Sequence, residues 1–188
     1  MRLVLGLDPG GSMGMALVLH GVTHGRDNRP RLVNAWHVMG GSGLLWLSRL
    51  YAASNGLTMT LADYPDVPVS AVVEVPANGG RNSNRPTKAT TWVKAGRNAG
   101  KVEGVVYASC GLVFADMPSG RTKGGWPALC GVSTGKQGNG IHRVREASML
   151  VAGAREHLAT MPEDSDAAIE RKVCVAESIL IACAGGLQ

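Results

Sequence analysis

Aromatic residues are scarce in this chain: four Trp, three Tyr and one Phe among 188 residues. A core with few rings must be filled by aliphatic side chains and closely packed elements, and 26 glycines permit that approach. The four cysteines, Cys110, Cys130, Cys174 and Cys183, include no C-x-x-C pair, and no Cys/His spacing reads as a zinc site. Cys174 and Cys183 lie in apolar helical sequence and read as buried free thiols, which suits a reducing compartment. Long apolar runs are missing as well. Asp8 interrupts the first one after a few residues, so no signal peptide is expected, and no stretch has the length of a membrane span. The expectation is a cytoplasmic chain with no membrane partner. No internal repeat is present.

What is there suits a single globular domain over residues 1–188, because hydrophobic residues make up 45% of the sequence. The formal net charge is +5 and the pI about 9.3. A basic surface suits a partner that carries phosphates, although many ordinary proteins are as basic.

Residues Arg2 to Leu7 read as a strand, closed by a turn at Asp8-Pro9-Gly10-Gly11. Met15 to His20 and Leu32 to Val38 read as further strands, and the three together as an antiparallel meander. Gly43 to Ala53 has helical spacing, with Leu44, Leu47 and Tyr51 on one face. Val69 to Val75 is an apolar strand, ended by Pro76. A polar, basic stretch over 77–88 separates it from a helix at about Thr90 to Ser109. Leu112 to Ala115 reads as a short last strand. The Gly/Lys-rich segment after it is hard to read. Helices at His142 to Leu158 and Asp166 to Ala184 close the chain, with Asp164 or Ser165 as N-cap of the second. A meander followed by β-α-β crossovers gives an α/β fold: a mixed five-stranded sheet flanked by helices. That is the RNase H-like arrangement, and also that of one half of an actin-like ATPase.

Three carboxylates stand in apolar surroundings: Asp8 at the end of the first strand, Glu74 inside VVEVP, and Glu177 inside VCVAESILIACA. An isolated carboxylate in low dielectric is costly, so such groups are usually exposed, paired or bound to metal. Converging, they would form a hard-oxygen site suited to Mg²⁺, with Mn²⁺ as substitute. Two such ions about 4 Å apart can clamp the attacking and leaving oxygens of a phosphodiester displacement. Each residue has a plainer reading. Asp8 could only shape its turn, Glu74 could point to solvent, and Glu177 shares a helical face with Asp166 and Glu170 that could be solvated.

LGLDPGGSMGMALVL, VVEVP, KAGRNAGKVEGVVYA and VAESILIACAGG occur in that order. Together they resemble four segments of RuvC-type Holliday junction resolvases, especially the short phage-like versions, over about two-thirds of the chain in patches. The resemblance implies an RNase H-like nuclease in which Asp8, Glu74 and Glu177 are metal ligands and catalytic residues, with two Mg²⁺ per site. It implies a homodimer that resolves four-way DNA junctions by paired symmetric nicks. Arg143 falls close to where the family carries a catalytic Lys, and a cation there would stabilise developing phosphorane charge. The chain departs from the family in two places. Cys174 stands where a further acid or His is usual, leaving that role absent or to Glu170 or Asp166. Pro76-Ala77-Asn78 stands where an aromatic wedge is common.

DNA contacts are expected from Arg81, Arg85 and Lys88, from Lys94, Arg97 and Lys101 on one face of the next helix, and from Arg143 and Arg145. Competing readings are an RNase H-like nuclease for other branched DNA or for RNA, a catalytically impaired nucleic-acid-binding module, and an actin-like ATPase. The last needs a second D-P-G hairpin, and the sequence has none.

Overall fold

Strands β1 (Arg2–Asp8) and β2 (Met13–His20) carry apolar residues on both faces, and both faces are covered. β2 is buried along its whole length. The computed structural model describes residues 1–9, 12–21, 28–39, 44–75, 89–118, 125–132 and 140–188, with side chains of the second helix described from 96 onward. After β3 (Arg31–Val38) come α1 (Leu44–Ala62), β4 (Val69–Val75), α2 (Ala89–Cys110), β5 (Phe114–Pro118), α3 (Trp126–Cys130), α4 (His142–Leu150), α5 (Ala154–Ala159) and α6 (Asp166–Gly185).

The five-stranded sheet has the order β3-β2-β1-β4-β5. β1, β2 and β3 pair antiparallel, while β4 joins β1 and β5 joins β4 in parallel. Alternation along each strand feeds two cores. Leu3, Leu5 and Leu7 of β1 pack with Leu50 and Leu57 of α1 and Val102 and Val106 of α2. Val4 of β1, Ala16 and Val18 of β2 and Val72 of β4 pack on the other face, with Ile179 and Ala182 of α6 and Trp126 of α3.

The expected mixed sheet is present, with shifted boundaries. α1 runs past Ala53 to Ala62 because Gly56, which interrupts its pattern, is where the Trp36 indole comes close; an added Cβ would meet Trp36 Nε1 at 3.0 Å. The last strand begins at Phe114 instead of Leu112, since left-handed Gly111 closes α2 and Leu112 and Val113 serve as connection. The helix expected from His142 to Leu158 is two helices. Between them Ala152 bonds β3: Leu32 N–H donates to the Ala152 carbonyl at 2.9 Å, and Ala152 N–H to that of Pro30 at 2.8 Å. Left-handed Gly153 then restarts the helix. α3 lies in the stretch that sequence patterning could not read. Ser165 is the N-cap of α6, its Oγ accepting from Ala168 N–H at 3.2 Å.

α6 lies directly on the sheet. A Cβ at Gly6 would collide with the Ser178 carbonyl and the Ala182 amide, and one at Gly14 with the Cys174 carbonyl. The helix therefore runs antiparallel to β1, with Cys174 near the Asp8 end and Gly186 near the Arg2 end. There the Arg2 guanidinium donates to the Gly186 carbonyl, and the buried His20 Nε2–H donates to that of Ala182 at 3.2 Å. Among the described residues, no helix is long and apolar enough to cross a membrane.

Two predictions follow from this packing. Gly14→Ala should lower stability by about 1–3 kcal/mol, the usual cost of forcing a methyl into a filled site. Urea unfolding would show it as a lower midpoint at unchanged slope; an unchanged midpoint would mean that α6 can lift. Burial holds His20 and His157 below the ordinary 6.5. Near and just below that value the unfolded chain binds protons that the folded one does not, so stability should fall as pH drops from about 7 to 5.5. Thermal melts across that window check the sign, and His20→Gln should flatten part of the slope.

Candidate active site

Leu7 pairs with Val73 across the parallel β1–β4 ladder, so the next residues along, Asp8 and Glu74, stand side by side. Both have the parity of Val4 and Val72, which face the α6 layer. Both are half-buried. Strand alternation thus turns Glu74 away from Val73 toward the face that α6 covers.

α6 supplies the third acid. Its Cys174 carbonyl rests on Gly14, and Gly14 is paired with Asp8. One turn further on, Glu177 keeps 29% of its side-chain surface exposed, with Oε1 3.9 Å from Arg143 Nε. Glu170, one turn before Cys174, is exposed, as is Asp166 in the first turn of the helix. Cys174 marks where these charges meet. Burial pushes its thiol pKa up, and the negative charges of Asp8, Glu177 and Glu170, in that order, push it further. At neutral pH it is therefore an uncharged S–H among carboxylates, and no ligand for a hard cation.

Arg143 sits inside the protein, only 6% exposed. Its Nη1 donates to Glu146 Oε2 at 2.8 Å, and its guanidinium stacks 4.8 Å from the centre of the Trp126 ring. A buried guanidinium needs acceptors and a polarisable face, and Glu146, Glu177 and Trp126 supply them. Sequence reasoning singled out Arg143 and missed its two supports. The Arg143/Glu146 spacing of i, i+3 was the available signal; nothing in the sequence announced Trp126.

Among the other basic candidates, Arg97 and Lys101 are exposed on α2 and Arg145 is exposed on α4. Lys101 Nζ lies 5.8 Å from the centre of the Trp46 ring on α1. Lys94 belongs to α2, but its side chain, like all of Arg81, Arg85 and Lys88, lies outside the described residues. On the β3 side, Ser12 Oγ and His37 Nε2 are hydrogen-bonded at 2.6 Å. His37 pairs with Gly14, so it stands in one row with Asp8. Burial, and then the charge of Arg171, hold the His37 pKa below its usual value.

Among the described residues, no three His, Cys, Asp or Glu side chains are gathered closely enough to hold a metal as they stand. The donor chemistry nonetheless fits a hard divalent cation: the carboxylates are half-buried, and the Cys174 thiol is kept protonated.

No protein-family model matches the chain, and no curated protein does. Solved structures do. Thermus thermophilus RuvC aligns over 99% of this chain and 94% of its own, with TM-score 0.57 and 15% identity. RuvC of the same organism in complex with a Holliday junction substrate aligns over 98% and 92%, with TM-score 0.56 and 18% identity. The yeast mitochondrial Holliday junction resolvase Ydc2 aligns over 99% and 78%, with TM-score 0.52 and 15% identity. The chain has the RuvC-like, RNase H-like fold along nearly its whole length.

Arg143→Met should destabilise the protein by about 3 kcal/mol, because it removes a buried guanidinium that donates to Glu146 and stands 3.9 Å from Glu177. Denaturant unfolding would reveal this. A loss under about 0.5 kcal/mol, typical of surface substitutions, would show that the guanidinium does not hold these acids.

Proposed function

We propose that this chain is a metal-dependent endonuclease that resolves four-way DNA junctions as a homodimer. The observation that carries the reading is the placement of Asp8 beside Glu74 on adjacent parallel strands, with Cys174 of α6 close enough to both Asp8 and Glu177 to feel their charge. Support comes from the fold shared with RuvC, one of whose structures is a complex with a Holliday junction substrate.

In this reading Asp8, Glu74 and Glu177 hold Mg²⁺ or Mn²⁺. When bound, the ions supply the charge that activates water and balances the leaving oxygen. Asp8 and Glu74 are held by the sheet, so they bind without first being ordered, which is how a rigid scaffold contributes. Glu177 is steered by Arg143, whose positive charge lies within reach of the same pocket and would favour charge build-up on a phosphate there. Arg97, Lys101 and Arg145 would contact DNA backbone, as would Arg81, Arg85, Lys88 and Lys94. Contacts of that kind position the duplex, so selection would come from junction shape more than from base edges.

A homodimer would match the two-fold symmetry of a four-way junction and cut both strands. On α2, nothing among the described residues approaches within 4 Å of where a Cβ would sit at Gly96, Gly100 or Gly104, which would leave room there for a second copy. One observation keeps a second reading open. The Cys174 thiol, kept protonated by burial, lies close enough to Asp8 and Glu177 to feel their charge, which would suit a protein that binds junctions without cutting them.

The test is a synthetic four-way junction with Mg²⁺ or Mn²⁺. Wild type should make paired, symmetric nicks. Asp8→Asn should bind equally well and cut more than about 100-fold more slowly, beyond the effect of groups that merely orient a ligand. Cutting of RNA alone would overturn the resolvase assignment, and binding without cutting in either metal would favour the second reading.

A further inference from the structure

Ser12, His37 and Arg171 take no part in the chemistry above, yet they lie on the same face of the same end of the sheet. Ser12 Oγ and His37 Nε2 are 2.6 Å apart and both residues are half-buried. His37 pairs with Gly14, and Gly14 with Asp8. Two strand spacings put His37 about 9–10 Å from Asp8 along that row. Arg171 is on α6 one turn before Cys174, whose carbonyl rests on Gly14. The helix therefore carries Arg171 over this end of the sheet, and its charge is felt at His37.

Arg171 differs from the buried cations near it. Lys172 has Glu163 at 2.6 Å, and Arg143 has Glu146 at 2.8 Å. Arg171 is half-buried and has no ion pair among the described residues. A partly desolvated guanidinium favours a charged acceptor, and bidentate phosphate is a preferred one. The Ser12–His37 bond leaves one proton of the pair for an anion: the Ser12 hydroxyl's when His37 Nε2–H donates to Oγ, or His37 Nδ1–H when the hydroxyl donates to Nε2.

We propose that Ser12, His37 and Arg171 form a subsite for a phosphodiester of the DNA strand that crosses Asp8 and Glu74. It rests on the nuclease reading for the identity of that strand. The carboxylate end of the row takes the phosphate to be cut, and the donor end takes a neighbouring phosphate and fixes the direction of the strand.

The test is binding of a four-way junction to the full protein in EDTA, followed by fluorescence anisotropy between about 50 and 200 mM salt. Arg171→Met should reduce the slope of log K against log salt by about 0.9, the release of one phosphate contact, and Arg171→Lys should restore it. Ser12→Ala and His37→Gln should each weaken binding about fivefold with the slope unchanged, as expected for a neutral hydrogen bond. An unchanged slope in Arg171→Met, or no recovery with Lys, overturns the subsite. If Arg171→Met does not fold, unchanged affinity in both other variants overturns it. Inorganic phosphate, followed by the His37 ring signal in NMR, separates the anion sources: a response to it without a slope change marks a free-anion site and overturns the DNA assignment. Cleavage in Mg²⁺ is scored separately. A slope effect in Arg171→Met together with a wild type that never cuts keeps the subsite and loses the nuclease reading; a wild type that cuts, with no slope effect in Arg171→Met, does the reverse.

Discussion

The structure depends on the contact between the backbone of α6 and two glycines of the sheet. Gly6 and Gly14 have no side chains, so the Cys174 and Ser178 carbonyls can settle onto β1 and β2. A methyl at either place would push the helix outward. That close seat decides which helical residues meet which strand residues. With Cys174 over Gly14, α6 brings Cys174 within range of the charges of Asp8 and Glu177, and Arg171 within range of His37. Small residues on the sheet thus set the register of the charged groups above it.

Such a collection of acids has to be made tolerable. Like charges near one another raise each other's cost of ionisation. Here the cost is met in two ways. Arg143 is buried against Trp126 and reaches both Glu146 and Glu177. Cys174 stands near these acids without adding charge, since burial and then the charges of Asp8, Glu177 and Glu170 keep it protonated. A fourth carboxylate there would need a further cation to balance it.

Much of this was legible in the sequence, for identifiable reasons. The mixed five-stranded sheet with its antiparallel first three strands follows from short apolar runs and the turn at Asp8-Pro9; the strand order came from the fold. The acids stood out because their neighbours are apolar. β4 was read to its ends, Val69–Val75, because Pro76 stops it. Helix limits were harder. Gly56 looks like a stop until Trp36 is seen against it, and the break after α4 is made by pairing between Ala152 and β3, a contact distant in sequence. The interior position of Arg143 was invisible because it needs α3, α4 and α6 at once. So was the Ser12–His37 pair, which joins two strands through a register that only the fold sets.

The direction of α6 has a consequence in time. Asp8 and Glu74 lie in β1 and β4, which leave the ribosome before α6, the helix that carries Glu177. Sheet pairing of β1 to β4 can form before α6 exists, but the face that α6 covers then has no partner. Contacts this distant in sequence are slow to form, since loop closure must precede their reward. A truncated or stalled chain would hold two of the three acids and no helix to complete them. In chain order the two carboxylates of the sheet precede the helix that covers their face, so that face is closed after β1 and β4 can pair.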